Sequence, residues 1–71
     1  MIYVYLDQRN ARAIITPDNN PTKGILLGTF EEMPQGNPPF IVHALLRKNS
    51  ITLSHGISVV VEQSPLIPPT L

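Results

Sequence analysis

The chain has 71 residues, a formal net charge of zero, 14% charged residues and no cysteine. Its length suits one small domain with a modest core, and the missing thiols leave no disulfide to reinforce it. The balanced charge argues against a general polyanion binder, and no apolar run nears the roughly eighteen residues of a membrane span.

Met1 to Asp7 has no basic region and too short an apolar part for a signal peptide, so a cytoplasmic protein is expected. Ile2 to Gln8 reads as a strand with Ile2, Val4 and Leu6 on one face and Tyr3, Tyr5 and Asp7 on the other. Arg9-Asn10 is a turn signal, and Ala11 to Thr16 is the returning strand. A two-residue loop sets Leu6 opposite Ala13, Val4 opposite Ile15, Tyr5 opposite Ile14 and Asp7 opposite Arg12.

Pro17 to Gly24 is a loop by its Pro, Asp, Asn and Gly content. Ile25 to Glu31 resumes strand character, and Gly28 within it signals a bulge or a close backbone approach. The segment Pro34 to Pro39 is a second loop. Phe40 to Leu46 and Ile51 to Val61 then read as a β-hairpin turning at Asn49-Ser50; a turn at Lys48-Asn49 keeps the same faces matched. In the Asn49-Ser50 register Leu46 faces Leu53, Val42 faces Ile57 and Phe40 faces Val59. The competing reading makes residues 39–48 a helix, with Asn37 as cap, Pro38 in the first turn, Arg47 and Lys48 at the C-terminus and Asn49 ending it.

The fold expected is all-β: one small curved antiparallel sheet of about five strands, closed or nearly closed as an SH3-like or OB-like barrel. The alternative is α+β with residues 39–48 helical. Residues 1–63 form the single β domain, and the segment 64–71, with Pro65, Pro68 and Pro69, is an extended C-terminal tail.

The chemistry-bearing residues are few. His43 and His55 fall on opposite faces of the hairpin and do not share a metal. Ser54 and His55 are strand neighbours, so the imidazole does not activate the hydroxyl. Glu31 and Glu32 are likewise neighbours on opposite faces, and no phosphate-binding glycine loop is present. No enzymatic activity, no cofactor and no metal are therefore expected.

The function expected is a protein-binding module of inhibitor or regulator type, acting through surface or edge-strand complementarity as a homo-oligomer. Leu26, Ile41, Leu45 and Val60 lie on otherwise polar strand faces, and the edge at Ile51–Val61 or Ile2–Leu6 carries little charge. The alternative is a small nucleic-acid-binding β-barrel that stacks bases on Tyr3 and Tyr5 beside Arg12, Arg47 and Lys48. Candidate partner-binding residues are Tyr3, Tyr5, Arg12, Leu45, Arg47 and Lys48.

Overall fold

A computed structural model describes residues 1–62. The Pro-rich tail expected at 64–71 lies outside the described residues. Strands β1 (Ile2–Asp7), β2 (Arg12–Thr16), β3 (Ile25–Phe30) and β4 (Ser58–Val61) form a single sheet in the order β3-β1-β2-β4. One helix, α1 (Pro38–Lys48), lies between β3 and β4 in sequence. The sheet is mixed and open: β1 is antiparallel to β2 and β3, while β4 runs parallel to β2.

The first hairpin has the register that side-chain alternation implies: Leu6 pairs with Ala13, Val4 with Ile15, Tyr5 with Ile14 and Asp7 with Arg12. The turn closes when the Ala11 N–H donates to the Gln8 carbonyl at 3.3 Å, with Ala11 at φ 51°. The Asp7 carboxylate braces it, accepting from Asn10 Nδ2 at 3.0 Å and Arg12 Nε at 3.2 Å. These contacts hold the Asp7 carboxyl below its ordinary 3.8, the Asn10 side-chain hydrogen bond most of all.

Gly28 sits beside a bulge, the first of the two features its position suggested, and faces a side chain of the helix rather than another backbone. The β1–β3 register slips between Val4 and Tyr5, so Leu27 is the extra residue of a bulge. A Cβ on Gly28 would lie 3.0 Å from Leu45 Cδ2, so the bare glycine lets the helix approach the sheet closely.

Residues 40–48 are helical, and the second hairpin and the closed five-stranded barrel do not form. Asn37 occupies the N-cap position, although its side chain makes no capping bond, and prolines fill the first turn. At the other end Ser50, at φ 58°, donates to the Arg47 carbonyl, and Ile51 N–H donates to the Leu46 carbonyl at 2.9 Å. That is a Schellman ending with Ser50 in the left-handed position. Asn49 Nδ2 ties this end to the bulge by donating to the Leu27 carbonyl at 3.0 Å.

The physical reason for the helix is coverage. Val4, Leu6, Ala13, Ile15 and Leu27 form one apolar face of the sheet, and Val42 and Leu46, one turn apart, pack onto it. Each such side chain contributes about 1.5–3 kcal/mol by leaving water. β3 and β4 are also parallel and separated by two strands, so they need a long crossover rather than a tight turn. Residues 51–57, expected to be strand, are irregular and span from the helix end to β4; Ile51, Leu53 and Ile57 still pack against the core.

The second face is crossed by residues 17–24, which carry the chain from β2 past β1 to β3. The Tyr5 hydroxyl accepts from Asn20 N–H at 2.9 Å and donates to Asn19 Oδ1 at 3.2 Å. Lys23 then spans to Glu62 beyond β4, with Nζ 2.9 Å from Oε1. Tyr5 and Ile14 are buried as a result. The two crossovers run in opposite lateral directions on opposite faces, the arrangement in which they share one hand. Among the described residues no helix is long and apolar enough to cross a membrane.

Candidate protein-binding surface

The six residues singled out from the sequence do not form one surface. Tyr3, Tyr5 and Arg12 belong to the second face of the sheet, whereas Leu45, Arg47 and Lys48 belong to the helix over the first. On the second face, the Tyr3 and Tyr5 rings stack with centroids 6.3 Å apart. Tyr5 is only 2% exposed and its hydroxyl is committed to the crossing loop, so Tyr3 alone offers ring surface. Arg12 is exposed but bound to Asp7.

The helix side is different. Phe40 is 68% exposed, the largest exposure of any bulky apolar side chain among the described residues. Helical spacing sets Phe40, His43, Ala44 and Arg47 in one outward stripe, because 40, 43, 44 and 47 recur every three to four residues. A groove opens on each side of this stripe. One, about 560 Å³, lies between α1 and the segment after it; Phe40, His43, Leu46 and Arg47 face Ile51, Leu53 and His55 across it. The other, about 330 Å³, is bounded by Phe30, Pro34, Phe40, Ile41, Leu45 and Lys48.

The Schellman reversal builds the first groove. It turns the chain back so that Ile51 closes over Leu46, the apolar contact that usually accompanies this ending. Each groove carries one cation at its C-terminal end, Arg47 in one and Lys48 in the other. Neither forms an ion pair among the described residues. Carboxylates are absent from both linings.

His43 and His55 line one groove, not opposite faces, since they come from the helix and from the irregular segment after it. Ser54 and His55 also line a common depression of about 270 Å³, because residues 51–57 do not alternate as a strand would. No hydrogen bond joins the two side chains. Among the described residues no three His, Asp or Glu side chains converge as a metal-binding group.

A strand register buries Phe40 against Val59 but leaves His43 on the outer face, so Phe40 is the residue that passes from core to surface when the segment is helical. The 3–4 spacing of Phe40, His43 and Arg47 is the sequence signal for the outward stripe, and it applies only once the segment is helical. Comparison with known proteins gives no match to a family model, a curated protein or a solved structure.

Proposed function

We propose that the protein is a cytoplasmic, non-enzymatic protein-binding module of regulator or inhibitor type. It takes a short apolar segment of a partner protein along the outer side of α1. The observation that carries this reading is the exposed Phe40 standing as a ridge between two apolar grooves. Exposed aromatic side chains beside preformed pockets are the usual anchors of protein interfaces. Arg47 and Lys48 at the groove ends favour a segment whose bulky apolar residues are followed by carboxylates.

The second-face reading, base stacking on Tyr3 and Tyr5, has less support: Tyr5 is enclosed and Arg12 is paired. The cytoplasmic assignment rests on the cysteine-free composition, which suits a reducing compartment.

The test is selection of random peptides displayed on phage against the native chain, with counter-selection against Phe40→Ala. The expected winners pair bulky apolar residues with Asp or Glu and lose binding to Phe40→Ala and to the Arg47→Ala/Lys48→Ala double variant. Failure to enrich any sequence, or enrichment indifferent to Phe40, would refute the reading.

A further inference from the structure

The sheet has two edges, and they differ. At the β3 edge the ladder is kinked by the bulge at Leu27 and followed at once by Glu31 and Glu32. Bulges and flanking charge are the devices that discourage another strand from pairing. The β4 edge has no bulge, and its one flanking charge, Glu62, is paired with Lys23 of its own chain; Ser58-Val59-Val60-Val61 itself contains no charge, no proline and no register shift.

The backbone directions on β4 follow from its bonds to β2. Ser58 N–H donates to the Ala11 carbonyl at 3.0 Å, and Glu62 N–H donates to the Ile15 carbonyl at 2.8 Å. Even-numbered residues therefore turn their backbone groups toward β2. In a parallel ladder bonding alternates, so the N–H and C=O groups of Val59 and Val61 point to the open side. Among the described residues no strand lies beside them. Val60 is 37% exposed on the second face, and Val61 is 43% exposed on the first.

We infer that β4 is the seat of a symmetric homodimer, in which two β4 strands pair antiparallel about a two-fold axis at Val60. Antiparallel partners exchange both bonds only between residues whose groups face each other. Setting Val59 opposite Val61 of the second copy is the register that engages both outward residues of both copies, giving four backbone hydrogen bonds. Val60 then meets Val60 of the second copy in the close, non-bonded pair. The three cross-strand pairs are all valine, which suits a pleated surface.

The charges agree with this register. It sets Glu62 opposite Ser58 of the second copy, so the two Glu62 carboxylates do not face each other. Each Glu62 is also already neutralised by Lys23 of its own chain. The net charge of zero imposes no long-range repulsion between copies. The interface is isologous, as a two-fold dimer requires, and joins two four-stranded sheets into one of eight. With one short strand from each copy the contact is small, so association is weak and depends on concentration.

Sedimentation equilibrium of the full chain from micromolar to millimolar concentration tests this. The native chain is expected to rise from the mass of one chain to that of two. Val60→Lys and Val60→Glu each set like charges face to face at the axis and are expected to remain monomeric with native circular dichroism. An equimolar mixture of the two is expected to recover the dimer, because only residue 60 meets its own copy. Val61→Pro removes an outward N–H while leaving the β2 ladder intact, and is expected to be monomeric too. A native chain that stays monomeric at millimolar concentration overturns the inference. So does a Val60→Lys or Val61→Pro chain that dimerises as the native one does, a mixture no better than its components, or a dimer abolished by Phe40→Ala instead.

Discussion

Truncating Val42 and Phe40 separately gives a direct test of how the middle of the chain folds. Val42 is fully buried against the sheet, whereas Phe40, two residues earlier on the same helix, is mostly exposed. Val42→Ala removes the equivalent of two buried methylenes, about 1.6 kcal/mol of transfer free energy at roughly 0.8 each. The cavity left behind adds up to about 1 kcal/mol more. The expected loss of about 2–3 kcal/mol is a large part of what a domain this size holds, and corresponds to a fall in Tm of about 10–20 °C. Phe40→Ala removes a side chain that already lies in water and improves helix propensity by about 0.5 kcal/mol, so its effect stays within about 0.5 kcal/mol. Urea unfolding followed by the helical signal of circular dichroism measures both. On a strand, residues 40 and 42 would share a buried face and both truncations would be costly. Equal losses for the two variants, or a neutral Val42→Ala, would refute the helical packing described above.

Two further perturbations probe the second face and the acid limb. Tyr5→Phe leaves the Asn20 N–H without its acceptor and should cost about 1–2 kcal/mol. The Asn20 amide should then exchange with solvent faster than the β1–β2 ladder amides; unchanged exchange there would mean that the hydroxyl does not hold the crossing loop. Glu62 titrates below its ordinary 4.5, chiefly because Lys23 hydrogen-bonds its carboxylate, while burial pulls the other way. A lowered folded-state value means stabilisation that is complete above the unfolded value and lost as pH falls through the folded one. Asp7 acts in the same direction below 3.8. Stability should therefore drop on acidification from about pH 5 to pH 3, and the Glu62→Gln/Asp7→Asn double variant should drop less. Parallel acid slopes for the two chains would contradict that account.

The surface around Phe40 was less legible in the sequence than the residues that form it. Leu45 stood out as an apolar side chain on the polar face of its expected strand, and Arg47 and Lys48 as cations at the expected turn; all three line the two grooves. Phe40 did not stand out, because its outward direction depends on a helical period that the continuous run Phe40-Ile41-Val42 conceals. Tyr3 and Tyr5 looked equivalent by alternation. The crossing loop separates them, enclosing Tyr5 and leaving Tyr3 half-buried.

Sequence alone determined what local chemistry specifies. The β1–β2 register follows from period-two alternation, the Arg9-Asn10 turn and the Asp7–Arg12 pair, all within a few residues of one another. The loop 17–24 and the irregularity at Gly28 follow from residue types with special backbone demands. Tertiary structure decided the rest. Residues 40–48 have caps for a helix and an apolar run for a strand, so local preference is nearly balanced. The apolar face of β1 and β2 tips it, because a helix both covers that face and carries the chain across two strands with its own backbone bonds satisfied. Residues 51–57 alternate as a strand does, yet they are needed to span from the helix end back to the sheet. Only Ser58–Val61 lie alongside β2, and they pair in parallel because the long crossover returns the chain in that direction.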